Sequence, residues 1–301
     1  MTRPHPQIRI RAGHGGMLIR DGVSISFYIS HSHQDITQRI EHSLHVFQHA
    51  IAPASLDWYC DYEGDYRKLD GAGRMFLEQE FRSTSSAHIH LVNHTNGVGD
   101  YEFVYRGQWR ENPNDPDASR SLSTVTFWLP TEFLESQGPV AVHELALKLS
   151  AGLPFTSGHA GLAFNAQFDL LGVDDLVDRE RLRHPGIDVP DESASLHLSN
   201  RIRGVHWMNF LGPPVLAELG GVEALHERLK SPDTTVQPLA EGRAVITLGP
   251  EPDAGDTTQS PVLPAYRELA RVLEPWMYFW GNFRPSWGRE AQRRWERRFL
   301  D

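Results

Sequence analysis

The chain is short of the residues that staple or anchor a protein. Among 301 residues there is one cysteine, Cys60, so no disulfide can close within the chain. That usage fits a reducing compartment. No segment approaches the roughly 20 consecutive apolar residues of a membrane-spanning helix. The longest apolar runs are broken by glycine, proline, histidine or a charge. The first eleven residues carry Arg3, Arg9 and Arg11 with no apolar stretch behind them. They do not read as a secretory signal, and the expected location is the cytoplasm. Positive charge is also in deficit: 29 Lys and Arg face 39 Asp and Glu, a net charge of −10. A surface that grips phosphate needs the opposite balance, so direct nucleic-acid binding is not expected. An acidic surface suits either solubility alone or attraction to a basic partner.

Catalytic signatures are missing as well. There is no GxSxG; the nearest serine, Ser157, has Phe155 and His159 where that motif needs glycines. No GxxxxGK[ST] phosphate loop occurs, and no GxGxxG follows a strand. His143–Glu144 begins like a zinc-protease helix, but position 147 is Leu147, so the second ligand of HExxH is lost. Cys60 lies in a segment with strand character, where a buried structural thiol is the ordinary reading. These absences predict a protein that is not an enzyme and that carries no cofactor.

What is present is enough for one large core. A chain of this length buries roughly three quarters of the surface its unfolded form exposes. The hydrophobic fraction is 40% and the charged fraction 23%, ordinary for a globular protein. Strand character appears at Val23–Ile29, Leu56–Tyr62, His88–Val92, Tyr101–Trp109, Ser123–Leu129, Gly158–Phe168 and Ile202–Leu211. Val236–Leu239 and Ala244–Leu248 form a hairpin. Helical spacing runs from Ile36, capped by Asp35, to a stop before Pro53. Further helices are predicted at Met75–Phe81, from Pro139 to Ser150, Asp174–Arg183, Val215–Leu219, Val222–Leu229 and Ala265–Leu273. Residues 184–199 read as a long connection. This is an α+β pattern with largely antiparallel sheets flanked by helices, one domain spanning 1–301. Strand–helix–strand order recurs at 122–168 and 202–248, a hint of two related halves.

Four groups of side chains are candidates for chemistry. His42, His45 and His49 fall on one face of the first helix, and His88 and His90 on one side of a strand. Imidazoles at such spacings can hold zinc or another divalent ion, or stand half-exposed on polar faces. Asp61, Glu63 and Asp65 alternate along an extended segment. They suit a basic partner, a cation, an acid/base pair or a solvated face. Asp174, Asp175 and Asp178 sit where negative charge favours a helix start. Last, Trp276, Tyr278, Phe279, Trp280, Phe283 and Trp287 precede Arg289, Arg293, Arg294, Arg297 and Arg298. A basic aromatic tail can bind nucleic acid, or dock on the acidic body of its own fold; the net charge favours docking.

From Ile202 onward the sequence is recognisable. IRGVHWMNFLGPPVLAELGGVEALHERL, then GRAVITLGPEPDAGD, then LPAYRELARVLEPW, resembles the bacterial type VI secretion immunity protein family, formerly catalogued as a domain of unknown function. Upstream, SGHAGLAFN at 157–165 fits the same order of elements. The resemblance covers residues 20–280 and leaves the basic tail, 281–301, outside. It implies a protein that binds and neutralises a cognate effector toxin. Partners of such proteins include nucleases of the VRR-Nuc type, blocked by covering the active or DNA-binding face. Gly204, Gly212, Pro213, Gly220, Gly221, Trp207 and Phe210 then belong to turns and core rather than to contacts. Asp61, Glu63 and Asp65 are the partner-binding candidates. The rival readings are a metal-dependent hydrolase using the histidine clusters, a nucleic-acid binder using the arginine-rich tail, and an adaptor that loads the effector.

Overall fold

A computed structural model describes residues 5–115, 117–190, 196–258, 263–279 and 287–301. Arg3, Pro116, residues 191–195 of the long connection, and Trp280, Phe283 and residues 281–286 of the tail lie outside the described residues. In chain order the strands and helices are β1 (Arg9–Arg11), β2 (Met17–Ile29), α1 (His33–Ile51), β3 (Trp58–Cys60), β4 (Tyr66–Lys68), α2 (Gly71–Phe81), β5 (Ala87–Val92), β6 (Glu102–Gly107), β7 (Ser123–Pro130), α3 (Thr131–Ser150), β8 (Phe155–Ala166), α4 (Val173–Arg183), β9 (Met208–Leu211), α5 (Pro213–Glu218), α6 (Gly221–Arg228), β10 (Thr234–Leu239), β11 (Arg243–Leu248), α7 (Pro264–Leu273) and α8 (Gly288–Glu296). The strands join in one 11-stranded sheet ordered β10-β11-β9-β8-β2-β7-β6-β5-β3-β4, with β1 added beside β2. Every pairing between named strands is antiparallel. The expected α+β class with helices flanking an antiparallel sheet is what forms.

Antiparallel neighbours make every second strand parallel. The segments β4–α2–β5, β7–α3–β8 and β9–α5–α6–β10 are therefore split β-α-β units, each bracketing one strand: β3, β2 and β11 respectively. The recurrence at 122–168 and 202–248 is two of these three.

The pleat of β2 decides which face is core. Val23, Ile25, Phe27 and Ile29 are fully buried, and Ser24, Ser26 and Tyr28 point to the other face. On the first face α1 and α3 pack against each other and over β7. Phe47 of α1 meets Phe127 at 5.2 Å, and Phe127 meets Phe103 at 5.5 Å. Phe27, Phe155 and Phe210 close a second aromatic group at 5.1–5.8 Å. Each such buried ring contributes about 1.5–3 kcal/mol over leaving it in water. On the second face Ser26 and Thr126, opposite each other across β2 and β7, share a hydroxyl hydrogen bond of 2.9 Å. Among the described residues no helix is long and apolar enough to cross a membrane.

Several boundaries differ from expectation. The N-cap of α1 is Ser32 rather than Asp35, which sits in the first turn. The helix α2 starts at Gly71, because the Asp70 carboxylate accepts from the Ala72 and Gly73 amides at 2.9 and 3.3 Å and offsets the cost of two glycines. The helix α3 begins at Thr131. Gly138, at φ 82°, breaks it, and Pro139 opens the second segment as an N1 proline. Only Met208–Leu211 of the expected strand 202–211 pairs as one. The Asn209 side chain folds back on the His206 amide and carbonyl at 2.9 and 2.7 Å and turns the chain. The C-terminal tail is helical at α8 and docks on its own fold: Trp287, Trp295 and Phe299 are core residues.

Candidate functional site

The sequence DYEGD becomes the turn of the β3–β4 hairpin. Gly64 takes φ 89°, open to glycine. Asp61 Oδ1 accepts from the Glu63 and Asp65 amides at 3.0 and 2.9 Å, and its Oδ2 accepts from Arg67 Nε at 2.9 Å. Those bonds, Arg67 first, hold the Asp61 carboxyl below the usual carboxylate range. Asp65 reaches the same guanidinium at 3.1 Å. The three predicted carboxylates do come together, within 4.8 Å of one another. Asp61 is half-buried and spent on the turn, while Glu63 and Asp65 are exposed.

Beside the turn stands a group of side chains that the sequence did not single out. Tyr62 is 70% exposed. Its ring meets Phe76 of α2 edge-on at 5.1 Å, and Phe76 stacks on Tyr59 at 4.7 Å. Its hydroxyl donates to Glu80 Oε1. Glu80 is 5% exposed, and its other oxygen accepts from the His88 amide at 2.7 Å. That hydrogen bond to a carboxylate, with partial burial and the negative charge, pushes the Tyr62 phenol up to about 12. Tyr66 packs edge-on against His90 at 5.6 Å. Met75 projects from α2, 71% exposed. A cleft of about 840 Å³ runs from Tyr62 and Glu80 past Ser83 and His88 to Arg106.

The histidine candidates are dispersed. His42, His45 and His49 line the solvent face of α1, and His88 is exposed on β5. His90 is half-buried, its Nε2 3.0 Å from Glu102 Oε2. None of the five belongs to a group of three ligand atoms among the described residues.

A different, buried group does converge: His159 of β8, Asp188 and His206, each 4% exposed. The two rings stack at 3.8 Å with 13° between planes. His206 Nε2 lies 3.3 Å from Asp188 Oδ2 without hydrogen-bond geometry, and both His206 nitrogens lack a hydrogen-bond partner among the described residues. Arg203 Nη1 donates to the same Oδ2 at 2.6 Å, and Arg298 Nη2 lies 3.6 Å from Oδ1. Burial pushes both imidazoles below their ordinary range, so they are neutral. Burial would raise the Asp188 carboxyl, but the guanidinium charges, Arg203 first and then Arg298, outweigh it and hold the group well below its ordinary value. By residue type the set suits a divalent ion. With a guanidinium at each carboxylate oxygen, it is instead a buried ion-pair joint that fastens the tail to the sheet. Arg298 also donates to Pro185 O at 2.8 Å, and Arg181 of α4 lies 3.7 Å from the Trp287 ring centroid. Three segments far apart in sequence build this joint, and no local spacing announces it.

A family model described as type VI immunity for VRR-NUC (TsiV) matches residues 39–299. The chain belongs to that family. The matched span starts inside α1 and runs through α8, so it takes in most of the basic tail. Both stacked histidines fall in segments that carry the family resemblance, SGHAGLAFN and IRGVHWMNFL. The Pseudomonas aeruginosa T6SS protein PA0821 has a similar structure, with a TM-score of 0.78 over 99% of this chain and 88% of that one. At 20% identity, that likeness speaks for the fold. No curated protein matches.

Proposed function

We propose that this type VI immunity protein neutralises a VRR-Nuc effector by stoichiometric binding, covering its active or DNA-binding face, and that it catalyses nothing itself. The family match over residues 39–299 carries this reading. Its physical logic is electrostatic. A nuclease holds DNA on a basic surface, and an acidic protein of net charge −10 is drawn to that surface. The place of action is the cytoplasm of the producing cell, where an incoming nuclease meets DNA, and the role is protection during bacterial competition. Glu63 and Asp65 are the carboxylates offered to the partner. Asp61 shapes the turn that presents them.

The test has two arms. Cells expressing the cognate VRR-Nuc effector should stop growing and should recover when the protein is co-expressed. DNA cleavage by the purified effector should then fall to background once the protein is equimolar. Cleavage that persists at saturating excess sinks the binding mechanism. Rescue without complex formation points to an adaptor or an enzyme.

A further inference from the structure

Two exposed apolar side chains flank Phe76 of α2. Tyr62, whose ring meets Phe76, and Met75, the residue before it, are 70% and 71% exposed. Their setting is not that of stray surface residues. A phenol ring mostly in water ordinarily swivels, but the Tyr62 ring is pinned at both ends. Phe76, itself stacked on Tyr59, holds the ring, and buried Glu80 holds the hydroxyl. A buried carboxylate is costly to keep, and here it orients a ring that faces solvent. A side chain ordered in advance loses little entropy when it is covered. Tyrosine and methionine are enriched at the desolvated centres of interfaces. Charge then selects the partner: residues 57–80 carry seven carboxylates against three cations, out of a net −10 for all 301 residues.

We infer that Tyr62 and Met75 are the anchors on which the basic DNA-binding face of the VRR-Nuc effector docks, with Glu63 and Asp65 as the rim that steers it. The inference rests on the immunity reading above and adds the face and the division of labour. The anchors are desolvated in the complex and set its lifetime. The rim stays wet and sets the rate of encounter. Asp61 is not a contact, because its carboxylate is consumed by the hairpin and Arg67.

The test is binding kinetics between the full chain and the recombinant VRR-Nuc domain of its cognate effector. Tyr62→Ala and Met75→Ala should each raise Kd by about tenfold or more, through faster dissociation; Met75→Ala should leave the melting temperature unchanged, whereas Tyr62→Ala should lower it modestly because Glu80 loses a partner. Tyr62→Phe keeps the ring and loses its tether to Glu80, so it should fall between wild type and Tyr62→Ala. Glu63→Gln with Asp65→Asn should slow association and flatten its salt dependence. Leu171→Ala, at a fully exposed leucine in the turn after β8, should match wild type. Suppose wild type binds tightly while the Tyr62 and Met75 variants stay within about twofold of it, or Leu171→Ala weakens binding instead. The docking face is then elsewhere, and the immunity reading stands. If wild type neither binds nor inhibits the domain, both fall.

Discussion

Replacing Asp188 by asparagine tests whether the buried cluster is a joint or a ligand site. Asp188 is 4% exposed and is met by Arg203 at 2.6 Å, His206 at 3.3 Å and Arg298 at 3.6 Å. Asparagine keeps the shape and one acceptor but removes the carboxylate charge that, among the described residues, faces both the Arg203 and Arg298 guanidinium groups. Removing one member of a buried ion cluster costs about 3–5 kcal/mol. For a chain of this size the melting temperature falls about 2 °C per kcal/mol, so a drop of roughly 6–10 °C is expected by calorimetry at pH 7.5. Limited trypsin digestion should locate the damage. Arg298 is the tail's link to the cluster, so the new early cuts should fall within the arginine-rich tail beyond Trp287. Arg298→Met keeps most of the stem and leaves Asp188 paired with Arg203, so it should cost less. A melting temperature within about 2 °C of wild type would refute the joint. So would a stoichiometric divalent ion in the wild-type protein that vanishes in Asp188→Asn.

Acid should weaken the fold in a definite window. His159 and His206 have lowered values in the folded chain, against about 6.5 unfolded. Their contribution is complete above that value and is lost as pH falls below it, by about 1.4 kcal/mol per pH unit for each histidine. Denaturant melts at pH 7.5 and 5.5 should show the loss, and His206→Asn should make it shallower; an unchanged slope contradicts the assignment. Glu80→Gln should return the Tyr62 phenol from about 12 toward the ordinary value near 10, read by phenolate absorbance against a Tyr62→Phe reference. Absence of that shift means the hydroxyl is not tethered. Gly212→Ala places a Cβ 2.5 Å from Thr156 O and 2.6 Å from Phe155 O. The backbone must move, so a loss of about 1–3 kcal/mol in chemical denaturation is expected, and a neutral result would mean that β8 and β9 are not so closely apposed.

Much of the sheet was legible because its strands alternate. Ser123–Leu129 and the 236–248 hairpin write their period in the residues, and the structure pairs them accordingly. The failures have physical causes. Gly71 and Gly73 read as a break because propensity speaks against glycine, and the Asp70 cap overrules propensity. Ile202–Trp207 reads as strand, but Asn209 bonds the His206 backbone and ends the ladder early. The helix α8 is hidden because its arginines look like a solvated tail. The two arginines just past its end are paired instead: Arg297 with Glu274 at 3.1 Å, and half-buried Arg298 with Asp188 at 3.6 Å.

The site was less legible than the fold, and the reason is a division of labour along the chain. The segments that identify the family, around His159 and from Ile202 to Trp276, are spent on construction. They supply β8, the turn before β9, and the joint that holds the tail. Residues spent on core, turn and joint speak for the fold and say nothing of the toxin. The face between Asp57 and Glu80 lies upstream, where the resemblance is weakest. It sits on the last two strands at one edge of the sheet, with few core obligations. Trp58 and Tyr59 are only half-buried, and β4 is exposed along its length. Substitution there costs the fold little, so the proposed face can vary without loss of the sheet. Alternation of Asp61, Glu63 and Asp65 hinted at the face. It could not show that the Asp61 carboxylate is consumed by the turn and Arg67, or that Tyr62 and Met75 stand exposed beside it, because exposure of a large side chain is a property of packing that no local pattern records.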